Sequence, residues 1–487
     1  MISLKKQVIY NLIGRFSQLL IGVITPVILV RLFTQTDYGL LQEILLISSV
    51  VATLLGFNIA HNLYYFFPIA KTFNEKSIVV SHTFFFMAYI SGLFFIIAIG
   101  AKPYIIQIID NTTIKNVYEL LIMHICFTLL YSSVSNILIV DGNAKLAMYY
   151  YGLSRFVRTT LIIFSVVLFR TIDSVMVSLV LFATLNVLFF YSYLYKKYHI
   201  SPSKFDLKIF KKQLTYILPF GLSGMLGAIG NQADKLILAA LFSPTQFAIY
   251  RIGNFNLPFL STIYVSVGNV ILPRLSEYSK QKDGIQKALL LWKKYIIKNA
   301  TVTFPVLTYF IFIAEPFIVL LFGEPYRDST NVFRIILLSL VIQMFGYGYL
   351  LRAFDKTRYI VPADSIKLFL SICLGYILIV QYGYIGAAIS YLIAYSSNGI
   401  IQLYFTRKLL KISLDNFLPW KDLLKLLIVS VFSLVPLFLL KNWYYDIHVA
   451  IYLIITSIAY FGLIFVIFIQ LNYLPRIKGL KQFFKEI

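Results

Sequence analysis

The chain of 487 residues is 59% hydrophobic and only 13% charged, with a mean hydropathy of +0.81, a composition that excludes an ordinary soluble domain. Its apolar runs are continuous over about 20 residues, the length an α-helix needs to cross ~30 Å of hydrocarbon, and this excludes a barrel of alternating strands. The net charge of +23 would suggest nucleic acid in a soluble chain; here it is read as topology and contact with anionic membrane lipids, with no nucleic acid expected.

Taken in chain order, the apolar runs predict fourteen spans, over about 8–33, 40–66, 79–101, 117–140, 147–169, 174–195, 214–242, 246–272, 295–322, 332–351, 359–381, 384–405, 423–440 and 448–472. The first follows Lys5 and Lys6 and is too long for a signal-peptide core, with no small-residue cleavage site after it, so it is expected to stay in the mature protein. With the N-terminus in the cytoplasm, 29 of the 43 Lys and Arg fall on the cytoplasmic side and 6 on the external side, which predicts that both termini are cytoplasmic. The longest external connection, about 102–116, leaves no room for an external catalytic domain. A membrane polymerase or ligase is therefore not expected. Cys126 and Cys373 lie in different apolar spans and have no metal-ligand spacing, so no metal or cofactor is expected.

Two segments 209 positions apart share a pattern. Residues 29–42 read LVRLFTQTDYGLLQ and residues 238–251 read LAALFSPTQFAIYR, with Leu29/Leu238, Leu32/Leu241, Phe33/Phe242 and Thr36/Thr245 identical. Each copy is the external hairpin joining the first two helices of a set of six. The expected fold is therefore an all-α membrane bundle of two parallel six-helix lobes around a central cavity, plus two extra C-terminal helices. The predicted division is an N-lobe at 1–195, a basic cytoplasmic linker at 196–213, a C-lobe at 214–406, and helices 13–14 with a basic tail at 407–487.

The opening YNLIGRFSQLLIGVITPVILVRLFTQTDYGLLQ resembles that of the Wzx-type polysaccharide flippases of the multidrug/oligosaccharidyl-lipid/polysaccharide (MOP) exporter superfamily. FKKQLTYILPFGLSGMLGAIGNQADKLILAALFSPTQFAIYRI is similar to the start of that family's second lobe, mid-helix Asp234 included, and PFIVLLFGEPYRDS to the end of its ninth span. One departure is Ala248, where the family's second hairpin usually has Gly. The resemblance implies a non-enzymatic, multi-pass protein of the bacterial cytoplasmic (inner) membrane with a MATE-like fold. It would move undecaprenyl-diphosphate-linked oligosaccharide repeat units between leaflets by alternating access, for O-antigen, capsule or exopolysaccharide synthesis. The implied partners are the polyprenyl-diphosphate-linked glycan, membrane lipids and the polysaccharide polymerase machinery; a proton or sodium gradient, or the membrane potential, would drive it. The alternatives are a lipid II flippase of the MurJ type and a MATE-type multidrug cation exporter. Against the exporter, no acidic residue occurs from 8 to 36, where Arg15 stands instead.

Ionisable residues inside spans are costly and therefore candidates for function. Arg155 and Arg158 share one helical face at i,i+3 spacing, and two planar guanidinium forks suit a lipid diphosphate. Arg15, Lys298 and Lys367 complete the substrate-binding candidates, with interfacial snorkelling as the alternative for Arg15. Asp234, Asp364 and Glu315 are candidates for ion coupling; the structural alternatives are an Asp234–Arg251 pair and an Asp364–Lys367 pair at i,i+3. Asn58, Asn136, Asn186, Asn231, Gln232, Asn254 and Asn256 either meet sugar hydroxyls or bond helix to helix, and His61 and His124 are read as packing groups.

Overall fold

Short polar side chains open the helices, and left-handed residues close many of them. The computed structural model describes residues 21–109, 111–204, 206–255, 257–439 and 448–474, and no strand occurs among them. After α1 (Ile21–Leu32), Thr34 accepts the Asp37 amide at 3.1 Å and donates to the Asp37 carboxylate at 2.7 Å, which starts α2 (Gln35–Gly56). Beyond α3 (Asn62–Ile69), Thr72 caps α4 (Phe73–Gly100) by accepting the Glu75 amide, and Glu75 reaches back past the cap to accept the Lys71 amide. The connection that follows holds α5 (Lys102–Ile108) and α6 (Thr112–Asn116), and Lys102 and Glu119 pair across it.

Next come α7 (Tyr118–Tyr131), α8 (Val134–Val140), α9 (Ala144–Phe169) and α10 (Ile172–Tyr198). Arg170 and His199 close the last two in the left-handed region, at φ 52° and 49°. At the foot of this group Asp141 accepts the phenols of Tyr193 and Tyr198, each at 2.6 Å, and pairs with Lys197. The linker that follows is pinned to α4, since Lys204 donates to Ser77 at 2.7 Å and the Asp206 amide donates to His82 Nε2 at 2.8 Å. It leads into the 35-residue α11 (Leu207–Leu241).

The described chain separates into two compact units. The first runs through Ala239 and adds Ser243–Ala248; the second takes Ala240–Phe242 and continues from Ile249. The helix expected to open the second lobe at 214 thus belongs to the first unit for most of its length. Glycine explains this packing. At Gly221 and Gly224 an added Cβ would run into the Phe57 ring and the Asn58 side chain, so α11 lies against the end of α2 as only glycines allow. The hairpin at 243–248 is held to the same unit, where Thr36 and Thr245, the matched threonines of the repeat, share a hydrogen bond of 2.9 Å.

The second unit holds the rest of α12 (Pro244–Gly253), then α13 (Pro258–Tyr278), α14 (Gly284–Phe312), α15 (Ala314–Phe322), α16 (Ser329–Leu337), α17 (Ser339–Gln343) and α18 (Tyr349–Ala353). The irregular backbone between α17 and α18 is satisfied from α14, with Trp292 Nε1 donating to the Phe345 carbonyl and Asn299 Nδ2 to the Met344 carbonyl, both at 2.9 Å. In α19 (Ile360–Leu410) a break at Gly383, φ 57° and ψ −135°, separates the two apolar stretches expected at 359–381 and 384–405. After α20 (Leu414–Phe417), α21 (Trp420–Phe432), α22 (Val435–Leu439) and α23 (Val449–Gln470) complete the fold. The last helices belong to the second unit rather than standing apart as an appendage. Tyr309 donates to or accepts from Thr456 and Ser457 of α23, Tyr460 bonds Thr308 at 2.6 Å, and Tyr460 also donates to the Ser430 carbonyl.

Eight helical stretches among the described residues are long and apolar enough to cross a membrane. Other apolar stretches arrive in pieces. The run expected to be continuous over 40–66 breaks at Phe57 and Asn58, both left-handed at φ 45° and 53°, and the run over 117–140 breaks at Ser132–Ser133 between α7 and α8.

Candidate functional site

Both breaks face internal space in the first unit. Around the α7–α8 break lies a cavity of about 210 Å³, lined by Tyr131, Ser132, Val134, Ser135 and Phe182 and by Tyr150, Tyr151, Ser154, Arg155 and Arg158 of α9. Arg155 and Arg158 therefore meet at one cavity, as their i,i+3 spacing demands. They stand roughly 16 and 21 Å along α9 from its N-terminal end at 1.5 Å per residue. Both are half-buried, the Arg155 Nε has no hydrogen-bond partner, and among the described residues no carboxylate lines the cavity. The guanidinium of Arg155 lies 3.2 Å from where a Cβ on Gly22 would be, so the glycine of α1 makes room for it.

Such a surface is suited to an anion. Two guanidinium forks supply charge-assisted donors at fixed geometry, whereas the hydroxyls of Ser132, Ser135, Ser154 and Tyr150 already donate to protein acceptors. No acidic group lines the wall among the described residues, so the two positive charges there suit an anionic ligand. Among the described residues no group of His, Cys, Asp or Glu has the arrangement to hold a metal ion.

The other sequence candidates lie elsewhere. Arg15 and Asn256 are outside the described residues. Asp234 is buried, with 4% of its surface exposed, in the part of α11 that belongs to the first unit, whereas Arg251 is exposed in α12 and belongs to the second. Lys298 is half-buried in α14. Asp364 accepts a hydrogen bond from Asn398 at 2.8 Å, and Asn398 accepts from Gln402 at 3.0 Å. Lys367 stands over the Tyr395 ring, 5.3 Å from its centre. Glu315 sits at the surface in a cluster with Arg327 and Glu324, at 3.3 and 2.7 Å from the arginine, a place better suited to joining α15 to the following turn than to carrying an ion. His124 is buried and bonds Ser48 at 2.8 Å. Cys126 is buried and Cys373 exposed, both as free thiols.

Sequence reasoning passed over Glu43. It is 7% exposed in α2, and its Oε1 has no hydrogen-bond partner. The signal was present, as Glu43 is the lone acidic residue in the run from 40 to 66.

Comparison with known proteins agrees with this architecture. An uncharacterized membrane protein from the cps region of Klebsiella pneumoniae is 26% identical over 221 residues, 44% of each chain. The capsular polysaccharide biosynthesis protein CapF of Staphylococcus aureus is 23% identical over 202 residues, 41% of this chain and 51% of CapF. A putative O-antigen transporter of Shigella flexneri is 22% identical over 245 residues, 49% and 57% of the two chains. The chain spans about half the length of these curated relatives. Among solved structures, the lipid II flippase MurJ in an inward closed conformation superposes with a TM-score of 0.75 at 17% identity, covering 96% of this chain and all of MurJ. An inward-facing multidrug resistance MATE family transporter of the MOP superfamily superposes at 0.62 with 15% identity, over 81% and 94% of the two chains. These likenesses show that the fold is the one found in MOP transporters. The family described as polysaccharide biosynthesis protein matches residues 28–331, and to that family the chain belongs.

Proposed function

We propose that this protein is a flippase that carries undecaprenyl-diphosphate-linked oligosaccharide repeat units from the inner to the outer leaflet of the bacterial cytoplasmic membrane. The observation that carries the reading is the cavity holding Arg155 and Arg158 without a carboxylate, a surface matched to a diphosphate inside an apolar bundle. The polyprenyl tail stays in lipid, so the protein need shelter only the polar head, whose charge the arginines offset. Both termini face the cytoplasm, on the strength of the Lys and Arg distribution. A proton or sodium gradient, or the membrane potential, drives the cycle, and the buried Glu43 joins Asp234 and Asp364 among the groups suited to couple it.

The test is leaflet-resolved measurement of lipid-linked repeat units in cells lacking the protein and in cells re-expressing it. Inner-leaflet build-up that re-expression relieves is the expected result. Unchanged intermediates, with altered sensitivity to cationic drugs, would instead place the chain with the exporters. Inner-leaflet accumulation of lipid II would place it with flippases of the MurJ type.

A further inference from the structure

Beside the arginine cavity lies a second one of different chemistry. It measures about 390 Å³, within the range of roughly 300–1,000 Å³ usual for small-molecule pockets, and Ser132 lines both. Its polar wall includes Ser49, Thr53, Asn58, Thr128 and Asn136, with His61 its single titratable group and no Lys, Arg, Asp or Glu. Two broken helices build it, since Asn58 belongs to the left-handed pair that ends α2 and Ser132 to the gap between α7 and α8. Asn136 ties the breaks together by donating to the Ala60 carbonyl at 3.3 Å.

Left-handed non-glycine residues cost about 1–3 kcal/mol each, and irregular backbone within a membrane span persists where it is covered by protein or lines a wet cavity. Here the two breaks open toward the same space. The Thr128 hydroxyl is buried there with no hydrogen-bond partner, an arrangement that burial alone disfavours.

We propose that this second cavity is a glycan subsite, which holds an uncharged sugar ring of the cargo while the arginine cavity holds the diphosphate. The Thr128 hydroxyl has both its donor and its acceptors unused, and the hydroxyls of Ser49 and Thr53, which donate to the Leu46 and Ser49 carbonyls, keep lone pairs that accept from sugar hydroxyls. The absence of formal charge from the wall, His61 aside, suits a neutral ring over a second phosphate or a cationic drug. The shared Ser132 places the two cavities in the sequence that a sugar diphosphate requires, ring next to phosphate. The proposal rests on the reading of the arginine cavity given above.

The experiment uses the full-length protein in lipid nanodiscs and two probes: the lipid-linked unit extracted from cells lacking the protein, and undecaprenyl diphosphate without sugar. The wild type is expected to bind the glycosylated lipid more tightly. Substitutions Thr128→Val and Ser49→Ala together are expected to cut that binding about tenfold, as loss of two hydroxyl contacts would, and to leave undecaprenyl diphosphate binding unchanged. T128V alone guards against misfolding, because removing an unpartnered hydroxyl keeps or raises the melting temperature if its role is structural. Equal affinity of the wild type for both probes, an unchanged glycan preference in the double variant, or parallel loss of both ligands would each overturn the subsite. Undiminished undecaprenyl diphosphate binding in Arg155→Gln/Arg158→Gln would instead overturn the diphosphate assignment, and the two failures are read from different probes.

Discussion

At the scale of single residues, Arg155, whose Nε has no hydrogen-bond partner, and Arg158 decide what the first unit can hold. A hydrogen bond to a charged group contributes about 1.5–3 kcal/mol, so Arg158→Gln is expected to weaken undecaprenyl diphosphate binding roughly 10- to 100-fold. The R155Q/R158Q pair is expected to abolish export at wild-type protein levels; normal export in that variant would remove the arginines from the mechanism. Replacing both by Lys keeps the charge and loses the planar fork, so partial activity is expected. A different residue reports on stability. Tyr473 donates to Asp422 at 2.6 Å, joining the end of α23 to the start of α21, and burial followed by that carboxylate pushes its phenol up to about 12 from 10.0. A group whose folded value is raised stabilises the fold below its unfolded value and loses that contribution as pH climbs through the folded one. Thermal melts of Tyr473→Phe should therefore fall below wild type near neutral pH, and the gap should close between pH 10 and 12.

At the scale of elements, close helix approach at glycine makes opposite predictions for two similar substitutions. A Cβ at Gly39 would strike the backbone of Pro244, which cannot rotate away. Overpacking of this kind costs about 1–3 kcal/mol, so Gly39→Ala should lower the melting temperature of the solubilised protein. At Gly227, in α11, nothing lies within 4 Å of the added atom, and replacing a mid-helix glycine with alanine contributes up to ~1 kcal/mol. Gly227→Ala should raise the melting temperature, and equal shifts in the two variants would refute the packing described for α2. The helix ends were legible in residue types, since Thr34, Thr72 and Thr171 each cap through the hydroxyl. The breaks were not. Gly56 and Asn58 flank Phe57 as weak local turn signals, but a left-handed Phe57 is not announced by its type, and the pair is supported by α11, where Gly221 and Gly224 leave the room.

For the whole molecule, the orientation proposed from the Lys and Arg distribution is tested by chemical labelling. In a background where Cys126 and Cys373 are replaced, a cysteine at position 115 should react with an impermeant maleimide in intact cells. One at position 208 should react only after the membrane is opened. The reverse pattern would invert the orientation and with it the leaflet from which cargo enters. Hydropathy and periodicity were enough to establish a helical membrane protein, its apolar stretches and the shared face of Arg155 and Arg158, because those properties are set by neighbours along the chain and by the 3.6-residue turn. Tertiary structure decided what those residues face. The wall of the arginine cavity comes from α7, α8, α9 and α10 together, Glu43 loses its solvent only when helices pack around α2, and α11 joins the first unit through contacts with residues more than 160 positions earlier. No local pattern encodes these facts, since each depends on which distant side chain occupies the space that a given residue leaves.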